Sequence, residues 1–274
     1  MFKSLLNAFK VKELRKKLLF VFLMLVVIRF GSNLPIPGVN AQYFSELFNS
    51  MSNNDAFGWF NTMTGGSFEQ LSIFALSITP YITSSIIIQL LTIAIPALER
   101  LAKDGGEDGK KKIQSITRYT TVGIAVLQAV GYYFMMKRYN LLAADGIWPA
   151  LVIIVTLIAG SSFVMWMGEQ VTEFGVGNGI SIILFAGIVA RLPVTMGQIW
   201  SYFSAAMQSP ESYGKYFVFA PLFIILFLAV IWVIVFMNDS ERRIPVQYAK
   251  KVVGRKVYGG QSTFLPNKVT MSGV

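Results

Sequence analysis

An apolar run of membrane length, residues 71–96, constrains this chain most, because hydroxyl groups, one amide and a proline are set inside it. A helix of about 26 residues would be about 39 Å long, enough to cross a hydrocarbon core of about 30 Å with some tilt. Lipid offers hydroxyl and amide groups no hydrogen-bond partners, so these side chains should face protein or water. The run therefore predicts a membrane-spanning helix with one polar face.

One stripe of that predicted helix changes character along its length. At about 100° per residue, the stripe contains Ile78, Ile82, Ser85, Gln89 and Thr92. It is aliphatic near mid-membrane and polar toward the charged segment 97–112. A helix face that is apolar in the middle and polar at one end is typical of the wall of a gated, water-filled path. It is less typical of the core of a helix bundle.

Composition indicates a polytopic membrane protein. Hydrophobic residues make up 54% of the chain and most charges lie in segments between apolar runs, which excludes a disordered chain and argues against a soluble domain. The candidate spans are residues 18–36, 71–98, 119–136, 148–168, 178–194 and 217–237. The fifth is short for a span, and we expect it to lie inside the protein rather than against lipid.

Two residue types with common chemical roles are absent, since the chain has no cysteine and no histidine. Disulfides, Cys-ligated metals and the commonest general base are therefore unavailable. An intramembrane enzyme would need a Ser–Lys pair or two aspartates, and the predicted spans contain neither. Half of an ion-coupled secondary transporter is the main alternative to a channel, and the lack of an acidic residue within a span disfavours it. We expect no enzymatic activity and no cofactor.

Basic residues orient the predicted spans. Lysine and arginine cluster in segments 1–17, 97–115 and 238–270, while 38–72 has none. The positive-inside rule then places both ends of a six-span chain in the cytoplasm. No small-residue cleavage site follows the first apolar run, so we expect that span to be retained. Arg29 lies about 17 Å deep in it by helical rise and should pair or snorkel.

Residues 57–68 are too short and polar to span a membrane, yet too aromatic for an ordinary loop. Phe57, Phe60 and Met63 recur at helical spacing, and Gly65 and Gly66 then break the chain before the second span. Two interpretations remain open, a short re-entrant helix or an interfacial aromatic anchor.

The segment 238–270 is long and basic. Its basic residues include Arg242, Arg243, Lys250, Lys251, Arg255 and Lys256. Either this cluster contacts a cytosolic partner, or it reflects positive-inside topology and attraction to anionic lipid, worth about 1 kcal/mol per charge near the surface. The closing sequence LPNKVTMSGV is typical of a lead-in to another span. We therefore expect more spans in the intact molecule or on a second chain.

Five stretches together are similar to bacterial SecY, the channel subunit of the protein-secretion translocon. They are RFGSNLPIPG at 29–38, SIFALSITPYITSSIIIQLL at 72–91, TRY at 117–119, GEQVTEFGVGNGISIILFAGIVA at 168–190 and ERRIPVQYAK…GRKVYGGQSTFLP at 241–266. The resemblance implies an all-α, polytopic membrane helix bundle with ten spans in two pseudo-symmetric halves. This chain would hold a basic amino-terminal segment at 1–17, a first five-span half at 18–194, an external loop and sixth span at 195–237, and a cytoplasmic 6/7 loop at 238–274.

The resemblance also implies roles for individual residues. The family's hydrophobic pore ring matches Ile78, Ile82, Ile180 and Leu184, the last being leucine where isoleucine is usual. Its plug matches 57–68, with Phe57, Trp59, Phe60, Met63, Gly65 and Gly66. Its lateral gate would use Thr79, Thr83, Ser84, Ile86, Gln89, Gln128 and Asn178. Its docking site for the ribosome and the SecA motor matches the basic cluster named above, with Arg255 and Lys256 foremost.

The implied ring sets one condition on the fold. Counting from the connection at 169–177 places Ile180 near the cytoplasmic surface rather than level with Ile82. The two can share a ring only if the GVGNG turn dips into a cytoplasmic funnel, which we state as a hypothesis.

The resemblance finally implies a passive protein-conducting channel in the bacterial plasma membrane, which passes unfolded secretory polypeptides and releases membrane proteins laterally. The implied partners are SecE-like and SecG-like small membrane subunits, the SecA motor ATPase, the ribosome, signal sequences, unfolded preproteins, anionic lipids, and the remaining SecY half with spans seven to ten. The sequence has no phosphate-binding GxxxxGK[ST] motif, so energy would come from the motor or the ribosome.

Overall fold

The computed structural model describes residues 11–51, 58, 61–144, 146–208, 210–246, 251–253, 256–258 and 263–268. Several predicted site residues lie outside these ranges, namely Phe57, Trp59, Phe60, Lys250 and Arg255. The described residues form eight α-helices and two pairs of short strands.

Helices dominate the described chain. They are α1 (Lys12–Ser32), α2 (Ala41–Met51), α3 (Thr79–Ala94), α4 (Pro96–Lys103), α5 (Gly106–Arg138), α6 (Ile147–Phe174), α7 (Gly179–Gln208) and α8 (Pro210–Asp239). The strands are β1 (Glu241–Val246), β2 (Lys251–Val253), β3 (Lys256–Tyr258) and β4 (Thr263–Lys268). The predicted class, an all-α membrane helix bundle, is confirmed, with the short strands confined to the segment after α8.

Three helical stretches of the described chain are long and apolar enough to cross a membrane, judged by length and composition alone. They are Ile147–Phe174, Gly179–Ala205 and Pro221–Asp239. Helices α3 and α4 meet the same criterion only as a pair, bent by 101° at the break between them. Helices α1 and α5 cover the predicted first and third spans but do not meet it. α1 has basic residues at both ends, and α5 mixes tyrosine, threonine and glutamine with its aliphatic residues.

The prediction of one continuous helix over 71–96 is wrong. Residues 64–78, called here the turn segment, run mainly through turns, and α3 begins only at Thr79. The helix ends at Ala94 because Ile95 is extended, with φ −107° and ψ 113°, ahead of Pro96. Proline disfavours helical backbone in the residue before it, and it starts a new helix readily because it needs no N–H there. The apolar run is therefore divided into a turn segment, a 16-residue helix and the start of α4.

Backbone groups distant in sequence provide hydrogen-bond partners for the turn segment, in place of the bonds that a helix would form. Ile36 donates its N–H to Leu71 O at 2.9 Å, and Ile73 donates its N–H to Leu34 O at 2.9 Å. Leu71 and Ser77 have φ of 43° and 49°, which a right-handed helix does not allow. The segment is also largely buried, and its fully buried residues include Leu71, Ser72, Ala75, Leu76 and Ile78.

Side chains of α2, α5 and α6 pack around the turn segment. Phe68 makes edge-to-face contacts with Phe44, Phe48 and Tyr132, whose ring centroids lie 5.5, 5.8 and 5.5 Å away. Gly160 of α6 permits the closest backbone approach, because a Cβ there would overlap the carbonyl oxygen of Ile73. This packing fixes the turn segment against α6.

From Val194 onward the chain forms a second compact unit. Helix α7 continues to Gln208 and α8 starts at Pro210, so the predicted external loop after residue 194 is largely helical. Helix α7, which contains the predicted fifth span at 178–194, is thus longer than the short span that we expected. After α8, β1 pairs with β4 in antiparallel register, and β2 pairs with β3 in the same sense.

Candidate functional site

The predicted ring residues come together in one hydrophobic cluster, called here the ring cluster. It contains the four predicted residues Ile78, Ile82, Ile180 and Leu184. Its other members are Phe74, Val164, Ile183, Leu25, Ile28, Ile73 and Tyr81. Ile78 is fully buried at the start of α3, while the other three predicted residues are partly buried. Each helix contributes its pair at a spacing of four residues, so both members of a pair lie on one face.

Gly168 of α6 shows how closely the two helices bring their ring residues together. A Cβ at this position would lie 3.3 Å from Ile78 Cδ1 and 3.3 Å from Ile180 Cγ1. The turn before α7 makes this approach possible. The Gly179 N–H donates to Thr172 Oγ1 at 2.9 Å, and a Cβ on Gly179 would overlap the carbonyl oxygen of Gly168. Ile180 and Ile78 therefore lie beside the same point of α6, and the dipping turn stays a hypothesis.

The hydroxyls predicted for the lateral gate bind backbone carbonyls. Ser84 is buried, and its hydroxyl donates to Thr117 O at 2.9 Å, which joins α3 to α5. Thr83 donates to Thr79 O at 3.1 Å within α3. Ser84 thus has a packing role that the sequence stripe did not indicate.

The remaining gate candidates lie in different surroundings. Ile86 and Gln89 are exposed on α3. Gln128 of α5 has a buried Oε1 with no hydrogen-bond partner among the described residues. A gate formed by these residues stays a prediction.

Asn178 caps α7. Its Oδ1 accepts the N–H of Ile180 at 3.0 Å and the N–H of Ser181 at 3.4 Å. A side-chain oxygen in this position satisfies donors that have no partner within the helix. Asn178 therefore has a local structural role, whatever it contributes to a gate.

We expect Asn178→Ala to lower the free energy of unfolding by about 1 kcal/mol, because alanine removes the capping oxygen, whereas Asn178→Asp retains it. Thermal unfolding of the detergent-solubilised protein compares the two variants with the wild type. Equal stability of Asn178→Ala and Asn178→Asp would contradict the capping role.

The described part of the predicted plug is a tight polar turn. Residues 61–63 end a helical turn, and Gly65 and Gly66 follow with φ of 66° and 91°, conformations that favour glycine. A Cβ on Gly65 would lie 2.9 Å from Gly187 Cα, so the turn rests directly on the backbone of α7. The buried polar residues here are Asn61, Thr64 and Ser67. These three polar side chains are shielded from solvent, and the re-entrant helix and the interfacial anchor both stay predictions.

Two arginines and a glutamate bind this turn. Arg29 of α1 donates from Nη1 to Gly65 O at 2.7 Å, which gives the intramembrane charge its partner. Glu69 forms an ion pair with Arg191 of α7. Asn61 donates from Nδ2 to Glu69 Oε2 at 3.0 Å, and the Glu69 N–H donates to Asn61 Oδ1 at 3.1 Å. Sequence reasoning flagged only Arg29, by its position within a span, and did not find the other three groups.

A cavity of about 260 Å³ borders both the ring cluster and this turn. Phe74, Val164 and Ile183 line it from the ring cluster, and Met63 and Thr64 line it from the turn. The remaining wall is mostly apolar and includes side chains of α1. Neighbours of the predicted ring residues thus line the same cavity as the turn, while Ile78, Ile82, Ile180 and Leu184 themselves are not among its lining residues.

Two of the motif stretches meet at an ion pair. Arg118 donates from Nε to Glu169 Oε1 at 2.7 Å, and Gln114 donates from Nε2 to the same oxygen at 3.3 Å. The Glu169 side chain is only 13% exposed. This contact links the first half of α5 to the last turns of α6.

The predicted docking residues that are described lie on strands of the second unit. Arg242 and Arg243 are consecutive in β1 and exposed, so their side chains leave opposite faces of the strand. Their partners in β4 are Asn267 and Pro266. Lys251 and Lys256 start β2 and β3.

Comparison with known proteins identifies the family. A family model described as SecY matches residues 72–274. Relatives named protein translocase subunit SecY are 41% identical in Streptomyces scabiei and 44% identical in Vibrio cholerae. These alignments cover 100% and 96% of this chain, but 63% and 57% of the relatives. The chain thus spans about three fifths of the length of the relatives it matches.

Solved structures share the fold. A protein-conducting channel matches with a TM-score of 0.58 at 19% identity, over 91% of this chain and 51% of that chain. Sec61 in a canine ribosome–channel complex from the endoplasmic reticulum matches with a TM-score of 0.53 at 18% identity, over 88% of this chain and 52% of that chain. The sequence matches along the chain and this shared fold show that the protein belongs to the SecY family of multi-pass membrane proteins.

Proposed function

We propose that this chain is the central, pore-forming part of a protein-conducting channel that passes unfolded secretory polypeptides across the bacterial plasma membrane. The observation that carries the proposal is the convergence of Ile78 and Ile82 with Ile180 and Leu184 in one cluster. The relatives named protein translocase subunit SecY support it, because they match almost the whole chain.

An aliphatic waist suits such a channel for two physical reasons. Apolar side chains around a narrow constriction disfavour water, so ions meet a dewetting barrier when the channel is idle. The same side chains offer a passing polypeptide no specific hydrogen bonds, so segments of any sequence can slide. The polypeptide would displace the turn that carries Met63, Gly65 and Gly66. The proposed channel is passive and catalyses no reaction; its driving energy comes from partners.

We assign the opposite wall of the pore to the remaining SecY half. The relatives extend beyond this chain, and spans seven to ten would supply that wall. Helix α3 has exposed apolar and polar residues for this boundary, including Ile86 and Gln89. Signal sequences would leave toward lipid there, past Thr79, Thr83, Gln128 and Asn178. SecE-like and SecG-like subunits would complete the complex.

The basic strands after α8 suit docking of the ribosome and the SecA motor. Arg242 and Arg243 are both exposed, which a docking role requires. One solved relative is a ribosome–channel complex, which supports the ribosome as a partner. The proposal places these strands and the amino terminus in the cytoplasm, where the same charges would also attract anionic lipid.

Site-specific photo-crosslinking tests the proposed function. A photoreactive amino acid is placed at Ile82 or Leu184 in the intact membrane complex, and a radiolabelled preprotein is stalled during translocation. We expect crosslinks to the preprotein from both positions, because they border the waist. Leu127 of α5, 74% exposed, is the control and should give none.

Two results would contradict the proposal. One is the absence of preprotein crosslinks at Ile82 and Leu184 while translocation proceeds. The other is substrate-stimulated counterflow of a small solute by the reconstituted complex, which would favour half of an ion-coupled transporter.

A further inference from the structure

Glu69 is the centre of a polar cluster that the ring and the motif stretches do not explain. Its carboxylate pairs with the Arg191 guanidinium of α7 and accepts the Nδ2 hydrogen bond of Asn61. Its backbone N–H returns a bond to Asn61 Oδ1. Arg191 also lies against Gly66, where a Cβ would be 2.9 Å from Arg191 Nε.

One side of this cluster is anchored and the other is not. Phe68, next to Glu69, is buried among three aromatic rings, and Arg191 belongs to α7. Residues 61–66 contact their surroundings mainly through polar groups. Asn61 bonds Glu69, the Gly65 carbonyl accepts from Arg29, and the buried Thr64 accepts the Phe68 N–H at 3.4 Å. Polar bonds therefore supply much of the attachment of this short turn.

We propose that the Glu69–Arg191 ion pair is a charge-dependent seat that holds the turn 61–66 in the closed channel. Asn61 and Arg29 make the bonds that break when the turn is displaced. The idea rests on the proposed function, because it assigns the closed state of the same pore to particular side chains. It adds four positioning residues, Arg29, Asn61, Glu69 and Arg191.

The surroundings make the seat sensitive to charge. The two side chains are 22% and 20% exposed, so water screens them less than it screens a surface pair. Removing either charge abolishes a partly buried ion pair, which is more costly than losing an exposed one. Arg29 donates to a backbone oxygen of the turn, so a change at Glu69 does not remove the acceptor of this bond.

Thiol labelling measures release of the turn directly. The sequence has no cysteine, so Ser67→Cys places a single reporter directly after the turn, at a position that is only 1% exposed. A fluorescent maleimide is added to the intact membrane complex, and the labelling rate is read from the gel band of this chain. Since the thiol is shielded while the turn is seated, the rate reports how often the turn opens.

Removing the charge should speed labelling. We expect Glu69→Gln to raise the rate about tenfold, and Arg191→Glu to raise it at least as much because two carboxylates then meet. The double variant Glu69→Lys with Arg191→Glu restores opposite charges and should return the rate to within about threefold of the wild type. Asn61→Ser, which is neutral and removes both bonds to Glu69, should act in the same direction as Glu69→Gln and serves if a charge variant does not fold.

The exposed ion pair between Glu99 and Lys103 provides the matched control. Its side chains are 43% and 73% exposed, so Glu99→Gln should leave the Ser67→Cys labelling rate unchanged. Labelling rates of Glu69→Gln and Asn61→Ser equal to this control would overturn the seat. Failure of the charge-reversed double variant to slow the Arg191→Glu rate would overturn its dependence on charge.

Labelling separates this inference from the proposed function. The rate reports opening of the turn whether or not the complex translocates polypeptides. Faster labelling with rescue by charge reversal supports the seat even if crosslinking at Ile82 and Leu184 fails. Unchanged labelling beside successful crosslinking removes the seat and leaves the channel standing.

Discussion

We expect the double variant Ile82→Ser with Leu184→Ser to make the resting, reconstituted complex leak ions at least about tenfold faster than the wild type. Serine makes the constriction easier for water to enter. Each change removes an apolar side chain whose burial is worth about 2 kcal/mol. The two side chains come from α3 and α7 and are partly buried, so their loss alters the waist more than the core. Ile78 stays intact, because its full burial would make a replacement a test of folding as well.

Ion efflux from liposomes measures the leak. The matched control is Ile93→Ser with Ile188→Ser, which changes two residues of the same helices that are 76% and 41% exposed. This control should keep the wild-type rate. Equal efflux from the ring variant and the control would remove the pore-ring assignment.

Gly160→Ala is expected to give the largest loss of stability, more than about 4 kcal/mol, or to prevent folding altogether. The added Cβ would overlap the carbonyl oxygen of Ile73. That carbonyl belongs to the turn segment, and the N–H of Ile73 is bonded to Leu34 O, so the backbone cannot shift without losing other bonds. Steric overlap with a fixed backbone is costlier than overlap with a flexible side chain.

Gly123→Ala in α5 is the control for that change. A Cβ at Gly123 would meet no atom within 4 Å, so alanine should be neutral or stabilise the helix by up to about 1 kcal/mol. Denaturant unfolding in mixed micelles, together with the yield of monodisperse protein, compares the two. Similar stability of both alanine variants would show that the turn segment does not approach α6 as described.

Composition and motif resemblance predicted the fold class and the family, but local pattern misjudged the second span. The aliphatic residues 71–78 look helical because hydropathy records only whether a segment is buried. Leu71 and Ser77 adopt positive φ without being glycine or asparagine, so no turn signal marks them. Their conformation depends on strands of backbone near Leu34 and Ile36, which are distant in sequence.

The candidate site was predictable to a different degree in each part. The stripe indicated Ile78 and Ile82, while Ile180 and Leu184 came from the family resemblance, since no periodicity links two helices about a hundred residues apart. The partners of the polar turn had no comparable signal. Glu69 and Arg191 are 122 residues apart, and neither lies in a pattern that indicates the other.

The break at Ile95 couples the tilt of α3 to the position of α4. Helix α4 leaves at 101° to α3 and is about 12 Å long, so a 10° inclination of α3 would swing the far end of α4 by about 2 Å. Helix α4 packs closely against α5, because a Cβ on Gly109 of α5 would overlap the carbonyl oxygen of Leu101 in α4. The Ser84 bond to Thr117 O joins α3 to α5 as well. We therefore expect α3 and α5 to move together. A force on the exposed side of α3 would then also displace the charged amino-terminal part of α5.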